Sequence, residues 1–401
     1  MNHPLSREAS ILKRSIMREL IARIAHPDTS ADMIADIIAL SGGLPASELL
    51  PVDALGACIN AVLSRERGDA LQYKPHYPPL IHWITDYMQA RGVDCTPDQV
   101  FITNGNQQGL TLLSRLFLNP DGVAVTEAVT FTGIHQVTTG RGAEVIAIPT
   151  DLQTGIDVDA LERAFQAENK PSVAFIIPDF HNPLGVTISR EKRERIAQLS
   201  AQYSVPIVED DPYSALRFSG TAEPPIKAFD RAGMVFYMGS FSKMLAPALR
   251  LGWMIAPAEF IPRLTVLREA LDLESSALIQ RATAEFLTQG LLSPHLERMN
   301  REHQTRCNAL VTALEQYMGD VATWTKPDGG LFVWVTLNHA EVNTWEVLDS
   351  ALKAGVAFVP GGAFAIHGDY HNTLRLNFSK IESGALFEGV KRLSTVVKKF
   401  I

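Results

Sequence analysis

The sequence predicts an α/β fold built on a mostly parallel β-sheet that is covered by helices on both faces, followed by a smaller α+β unit. Between about residues 100 and 255, short apolar runs alternate with helical stretches. Continuous apolar strands separated by helices are typical of a parallel sheet buried on both sides. After residue 327 the strands and helices are fewer and shorter. This pattern favours a second, smaller α+β domain.

The predicted elements follow one another along the whole chain. An amphipathic helix is expected over residues 10–25, a loop over 41–45, and helices over 52–66 and 79–91. Strands are expected over 100–103, 123–125, 144–148, 173–177, 206–208, 234–238 and 251–255. A long helical region, 258–316, separates them from strands at 331–335, near 356–359 and at 373–378.

The composition is that of a globular protein without nucleic acid as its main partner. The chain has 401 residues, of which 46% are hydrophobic and 20% are charged, a length for which two domains are the natural expectation. The formal net charge of −8 disfavours nucleic-acid binding, because phosphate backbones recruit basic surfaces.

The cysteines and the apolar runs predict a cytoplasmic protein that does not enter a membrane. Cys58, Cys95 and Cys307 are far apart in sequence and form neither a disulfide framework nor a metal-ligand spacing. Residues 1–8 lack the apolar core of a secretory signal. No run approaches the ~18 apolar residues of a membrane span.

The most informative motif is GSFSKMLAPALR at residues 239–250, directly after an apolar run. It places Lys243 between Ser240 and Ser242, with Arg250 close behind. An amine beside two hydroxyls and a guanidinium is suited to pyridoxal phosphate (PLP) held as a Schiff base. By itself the motif is also compatible with an exposed lysine in a polar turn.

Further polar residues follow the predicted strands, where ligands bind in an open parallel sheet. Asp210 comes just after the run at 206–208 and would pair with a protonated pyridine nitrogen, which makes the ring a better electron sink. Tyr213 and Asn182 would bind the ring oxygen. Acidic turns and Asn-Pro turns are common alternatives for Asp210 and Asn182.

Two more groups of residues are suited to anions. Gly105, Asn106 and Gln107 lie between a strand and a helix, where backbone N–H groups and the helix dipole favour phosphate. Arg375 lies in an apolar strand, where an unpaired cation is costly. A substrate carboxylate would pair with it, and a structural salt bridge is the alternative.

Taken together, these motifs resemble the class I/II aminotransferases of PLP fold type I, nearest to the α-aminoadipate/kynurenine aminotransferases. The resemblance runs from about Ser41 to Phe378 and adds the loop SGGLP at 41–45. It implies a large domain with a mostly parallel seven-stranded sheet at residues 46–285. It also implies a small α+β domain at 286–401 and an N-terminal segment, 1–45, that joins the small domain.

The resemblance also implies a role for each motif residue. Lys243 forms the Schiff base, with Asp210 and Tyr213 beside it as catalytic partners. Arg375, Asn182 and Gly43 bind the substrate carboxylate, and Arg18 is a candidate contact for an acidic substrate side chain. The implied cofactor contacts are Gly105, Asn106, Gln107, Phe131 stacked on the ring, Asn182, Ser240, Ser242, Arg250, and Tyr73 reaching the phosphate of a neighbouring subunit in a homodimer.

The chain departs from the family pattern near the mouth of the expected site. The loop after Tyr73 is short, because Lys74-Pro75-His76 leads directly into residues 77–80, YPPL. Phe131, His181 and Leu184 stand where tyrosine, glutamine and threonine are more usual. These differences indicate a specialised substrate.

Three functions are compatible with these residues. The first is amino transfer from an L-amino acid to a 2-oxo acid by a ping-pong mechanism. The second keeps the cofactor but performs elimination, cyclisation or oxidation of an amino acid. The third is a non-catalytic, PLP-sensing regulator body, which the acidic charge and the roughly forty residues before the SGGLP loop disfavour.

Overall fold

The computed structural model describes residues 5–6, 9–10, 37–368 and 370–401. Nearly all of the predicted helix at 10–25, including Arg18, lies outside the described residues. A short strand, β1 (Ile38–Ala39), begins the continuous part of the chain. Two helices follow, α1 (Val52–Glu66) and α2 (Pro78–Ala90), close to the predicted bounds.

A seven-stranded sheet forms the centre of the molecule, and its strands are β2 (Val100–Thr103), β3 (Val123–Glu127), β4 (Glu144–Ile148), β7 (Val173–Ile176), β8 (Ile207–Asp211), β9 (Val235–Ser240) and β10 (Gly252–Ile255). A two-stranded hairpin, β5 (Thr150–Asp151) and β6 (Gly155–Ile156), lies outside it. The order is β2-β10-β9-β8-β7-β3-β4. Only β10 runs antiparallel to its neighbours in this sheet, which confirms the mostly parallel seven-stranded prediction.

Both faces of this sheet are buried under helices. The covering helices are α3 (Asn106–Phe117), α4 (Thr132–Thr139), α5 (Val158–Phe165), α6 (Arg190–Tyr203), α8 (Ile261–Glu269) and α9 (Ala277–Thr288). Successive strand residues point to opposite faces. Val208 and Phe236 therefore pack with Leu113 on one side, while Ile207 and Val235 pack against α6 on the other.

A second, four-stranded sheet lies in the C-terminal part of the chain. Its strands are β11 (Ala322–Trp324), β12 (Phe332–Leu337), β14 (Val359–Pro360) and β15 (Thr373–Asn377), all antiparallel in the order β11-β12-β15-β14. Helices α10 (Leu292–Met318), α11 (Thr344–Lys353) and α12 (Ser383–Val397) surround it. Strand β1 pairs with the short β13 (Val356–Ala357), which brings the N-terminal segment to this layer. The boundaries at residues 45 and 285 stay a prediction.

Two local expectations differ from the structure. The region 258–316 is broken into α8, α9 and α10, and Gly290 (φ +72°) occupies the left-handed conformation that ends α9. Strand β9 continues two residues beyond its predicted end, so Lys243 follows a strand through a short helix, α7 (Phe241–Met244), rather than lying in a loop. Pairing of Ser240 with Gly252 extends the strand, and a side chain at Gly239 would collide with Trp253.

Within the described ranges, no helix is both long enough and apolar enough to cross a membrane. Cys58, Cys95 and Cys307 are all buried and reduced.

Candidate active site

A cavity of about 290 Å³ opens at the carboxyl ends of the parallel strands, the position at which this class of sheet binds ligands. It lies between the large sheet and the small sheet. Its lining includes twelve of the predicted residues: Gly43, Asn106, Gln107, Phe131, Asn182, Asp210, Tyr213, Ser240, Ser242, Lys243, Arg250 and Arg375.

Lys243 projects into this cavity from α7. The Ser240 hydroxyl caps the helix by accepting a hydrogen bond from the Ser242 N–H (3.1 Å). The Lys243 ammonium donates to the Gly43 carbonyl at 2.6 Å. Burial, together with the positive charges of Arg375 and Arg250, lowers the pKa of Lys243 to about 8. About a tenth of this lysine is therefore a neutral, nucleophilic amine at pH 7, far more than for an ordinary lysine.

Asp210 lies within β8 rather than after it, and only 2% of its surface is exposed. Its carboxylate accepts a hydrogen bond from the Asn106 side chain at 2.6 Å. Burial raises the pKa of Asp210 to about 7, while the Asn106 hydrogen bond opposes that rise. A cation placed next to this carboxylate would restore its ionised form.

The acidic neighbours of Asp210 have structural partners. Glu209 is fully buried and accepts from the backbone N–H groups of Ile226 (2.7 Å) and Lys227 (2.9 Å). Asp211 accepts from Arg91 and from the Tyr237 hydroxyl, each at 2.9 Å. Neither carboxylate lines the cavity, and both are engaged by these structural partners.

Tyr213 and Asn182 lie between Asp210 and the small sheet. The Tyr213 ring packs edge-on against Phe332, with the centroids 5.9 Å apart, and burial raises its pKa. A phenol in that state stays protonated and can donate a hydrogen bond. Asn182 accepts from Arg375 at 2.9 Å, so its amide nitrogen faces away from that arginine.

The phosphate-type residues gather at one end of the cavity. Gly105 adopts φ +86° at the start of α3, and a Cβ there would lie 3.1 Å from the Arg250 guanidinium. Arg250 donates to the Asn104 carbonyl at 3.0 Å, which keeps its guanidinium beside the N–H groups that begin α3. Helix N–H groups next to a guanidinium and serine hydroxyls form a suitable anion site.

Arg375 lies on β15 and is 3% exposed. It donates to Asn182, to the Ser41 carbonyl (2.8 Å) and to the Gly42 carbonyl (3.1 Å), all of which are neutral. Its Nε atom is buried and has no partner among the described residues. Burial lowers the pKa of Arg375 to about 10. An anion is the missing partner of this cation.

These groups fit PLP. A buried carboxylate, a partly neutral lysine and an anion cradle line one cavity, and they match a pyridine nitrogen, an aldehyde and a phosphate respectively. Arg375 remains for a second anion, at the side of the cavity that the small sheet forms.

Of the predicted residues that the structure describes, Gly105 and Tyr73 do not line the cavity. Gly105 lies behind Arg250, and Arg18 lies outside the described residues. Tyr73 is 81% exposed and does not line the cavity of its own chain. Tyr77 N–H donates to Gln280 Oε1 at 2.9 Å, and the His76 ring contacts Arg268. The short segment after Tyr73 therefore packs against the rest of the same chain.

Seven further lining residues had no predicted role, and all except the threonine are apolar: Leu44, Thr132, Ile177, Pro212, Pro247, Phe332 and Phe364. The two phenylalanines flank Arg375, with its guanidinium carbon 4.2 Å from the Phe332 ring centroid and 4.9 Å from that of Phe364. Both residues follow glycine pairs, at 329–330 and 361–362. Glycine pairs often mark places where a ligand or another chain segment comes close to the backbone, and this signal could have indicated the two phenylalanines.

Comparison with known proteins gives consistent matches over nearly the whole chain. The profile of the family described as Aminotransferase class I and II matches residues 37–393. Aromatic-amino-acid aminotransferase 1 of Thermococcus litoralis is 38% identical over 401 residues, covering 98% of this chain and 94% of that protein.

Solved structures of similar proteins have nearly the same fold. The kynurenine aminotransferase of Pyrococcus horikoshii, in complex with PMP, superposes with a TM-score of 0.91 at 34% identity, covering 98% of this chain and 97% of that one. The α-aminoadipate aminotransferase of Thermus thermophilus, complexed with N-(5′-phosphopyridoxyl)-L-leucine, gives 0.89 at 32% identity, covering 99% and 97%.

Proposed function

Because this chain belongs to the class I and II aminotransferases and is a PLP-dependent aminotransferase of fold type I, we propose that Lys243 is the residue that attaches the cofactor and moves the substrate proton. The observation that carries this proposal is the lowered pKa of Lys243 inside a cavity shared with Asp210, Arg250 and Arg375. A neutral amine is both the nucleophile and the general base that the reaction needs.

The other polar residues hold the cofactor from three sides. Bound PLP supplies a ring that withdraws electrons and stabilises negative charge on the α-carbon of an amino acid. Asp210 holds a proton on the ring nitrogen, and Asn182 and Tyr213 donate hydrogen bonds to the ring oxygen. Phe131 stacks on the ring. The phosphate is held by Gly105, Asn106 and Gln107 at the start of α3, together with Ser240, Ser242 and Arg250.

Arg375 binds the α-carboxylate of the substrate. Its partners Asn182 and the carbonyls of Ser41 and Gly42 orient the guanidinium, and the flanking rings of Phe332 and Phe364 exclude water. Once released from the cofactor, the Lys243 amine accepts the α-proton of the amino acid and returns it as the acid. The amino donor and the 2-oxo acid acceptor use this site in turn, which gives ping-pong kinetics.

The preferred donor is an amino acid with an apolar or aromatic side chain. Among the described lining residues, the cations are Lys243, Arg250 and Arg375, and each already has a role. The remaining wall is largely apolar, and Leu44, which is 49% exposed, stands at its edge. A second substrate carboxylate would lose hydration here without gaining a charged partner.

A substrate comparison tests this preference. Wild-type enzyme should have a higher kcat/KM for phenylalanine than for aspartate or 2-aminoadipate. The reverse order would show the preference to be wrong. Arg18→Ala is the second arm, since selective loss of the acidic donors in that variant would assign their recognition to the N-terminal segment.

The reaction class is tested by supplying one amino acid without a 2-oxo acid. The wild-type enzyme should form one equivalent of 2-oxo acid per site and stop, with a matching change in cofactor absorbance. Continued product formation would instead indicate a lyase or cyclase. Lys243→Ala should lose turnover, and retention of the wild-type rate would refute the role given to this lysine.

The functional unit is a homodimer in the cytoplasm, with Tyr73 completing the phosphate site of the neighbouring subunit. Support comes from three large apolar or aromatic side chains that are exposed in the single chain, namely Leu71 (67%), Tyr73 (81%) and Leu273 (55%). The three buried, reduced cysteines suit a reducing compartment. Sedimentation at micromolar concentration should give twice the mass of the chain, and a monomer with full activity would contradict the shared site.

A further inference from the structure

Asn106 connects the start of α3 with the carboxylate of Asp210. Its side-chain nitrogen lies 2.6 Å from Asp210 Oδ1 and 3.5 Å from the Met238 carbonyl oxygen. Asp210 belongs to β8 and Met238 to β9, which are adjacent strands with these two residues in register. One amide therefore joins the helix to the ends of two strands.

The orientation of this amide follows from its neighbours. Both Asp210 Oδ1 and the Met238 carbonyl are acceptors, so the Asn106 nitrogen must face them. The Asn106 Oδ1 atom is buried and has no hydrogen-bond partner among the described residues. The side chain is thus turned toward the carboxylate, although its backbone lies in the phosphate-type loop.

Asp210 needs such a donor. It is 2% exposed, and in the described part of the chain Asn106 is the one side chain with a hydrogen bond to it. Its neighbour Asp211 adds a further negative charge that works against ionisation, and nearby His181 acts in the opposite direction. The Asn106 hydrogen bond lowers the pKa of Asp210 against the effects of burial and Asp211.

We propose that Asn106 is a positioning residue for the ring nitrogen of the cofactor, and that its side-chain amide holds the Asp210 carboxylate ionised and aimed at that nitrogen. This rests on the proposed function of Asp210. It separates two roles of Asn106, because the backbone N–H belongs to the phosphate cradle while the side chain acts through Asp210. Asn106 thereby links the contacts to the cofactor's ring nitrogen with the contacts to its phosphate.

The test is a pH titration of cofactor absorbance in the holoenzyme for Asn106→Ala and Asn106→Ser. Neither replacement side chain reaches Asp210. If Asp210 is ionised to a smaller extent, the pyridine ring carries less positive charge. The nitrogen that joins Lys243 to the cofactor then takes up a proton more readily. The titration midpoint should move upward by about one pH unit, the size expected for one hydrogen bond to a charged group. Thermal unfolding of each variant checks that it is folded.

Ser242→Ala is the matched control at the phosphate end. It should speed cofactor release without moving the midpoint, whereas the Asn106 variants should move the midpoint. In an Asp210→Asn background, the Asn106 substitution should add little. A midpoint unchanged in both Asn106 variants, or an Asn106 effect that persists in full without Asp210, would overturn the inference.

Asp210→Asn alone distinguishes this inference from the function on which it rests. It should raise the midpoint more than either Asn106 variant. If Asp210→Asn leaves the midpoint unchanged, the assignment of Asp210 to the ring nitrogen is wrong. If it moves the midpoint and the Asn106 variants do not, only the role of Asn106 is wrong.

Discussion

Replacing Arg375 with methionine should separate the stability of this protein from its catalysis. Arg375 is a buried cation whose hydrogen-bond partners are the neutral groups of Asn182, Ser41 and Gly42. Burial lowers its pKa to about 10, which corresponds to roughly 3 kcal/mol against the charged form. The three hydrogen bonds return about 1 kcal/mol each. Because these two contributions cancel, the remaining cost of Arg375→Met comes from the neutral acceptors that lose their donor, and it should be roughly 1–2 kcal/mol of unfolding free energy.

The catalytic effect of the same change should be large. A substrate carboxylate left without its cation in a buried site costs roughly 3–4 kcal/mol, so kcat/KM for phenylalanine should fall by about 10²–10³. An amine without a carboxylate, such as phenylethylamine, does not use this contact. Its much lower kcat/KM should therefore be unchanged in the variant.

Arg193 provides the matched control. It is also fully buried, but it pairs with the Asp179 carboxylate at 2.9 Å. Arg193→Met leaves that buried carboxylate only its longer contact with Arg217, at 3.3 Å, and should cost about 3 kcal/mol of unfolding free energy. Urea unfolding of the cofactor-free proteins measures both variants. The reasoning is refuted if Arg375→Met is as destabilising as Arg193→Met, or if phenylalanine turnover falls less than tenfold.

Three further predictions concern ionisation and assembly. Burial lowers the pKa of Lys243 to about 8. The rate of PLP capture by the cofactor-free protein should therefore rise about tenfold per pH unit and level off above about pH 8. A plateau reached only near pH 10 would contradict this. Asp210 has its pKa raised to about 7, so the folded state holds this proton more tightly than the unfolded chain, and its contribution to stability is lost as pH rises from about 4 to 7. Asp210→Asn should remove this loss of unfolding free energy, which is on the order of 3–4 kcal/mol between pH 4 and pH 8. Urea titrations at the two pH values measure it. The same pH dependence in the variant and the wild type would show that the carboxylate is ionised throughout. Mixing Tyr73→Ala with Lys243→Ala subunits should restore about a quarter of wild-type activity in reassorted dimers, whereas no gain over the parents would place Tyr73 outside the neighbouring site.

The sequence predicted the sheet and the polar side chains well, and for one physical reason. Parallel strands buried on both faces leave long apolar runs, and polar residues that interrupt them at carboxyl ends are conspicuous. Asp210 and Asn182 stand out in this way. Lys243 was found from its neighbouring serines and Arg250, even though the strand before it runs two residues further than predicted.

The parts that the sequence did not predict depend on three-dimensional proximity. Phe332 and Phe364 look like ordinary core residues in the sequence, and only the path of β12 and the turn before β15 brings them to Arg375. The side chain of Asn106 faces Asp210 because α3 begins beside the end of β8, a distance that no local pattern encodes. The direction of β10 was likewise hidden, since an apolar strand reads the same in either direction.

The two halves of the site differ in how much of the chain they need. The residues proposed to surround the cofactor ring, Asn106, Asp210 and Lys243, all belong to the large sheet or to helices that directly follow its strands. The carboxylate site instead requires Arg375 to meet the Ser41 carbonyl, 334 residues away. The carboxylate site is therefore the part that depends on both ends of the chain, because it forms only when β15, the last strand, docks beside the segment that follows β1.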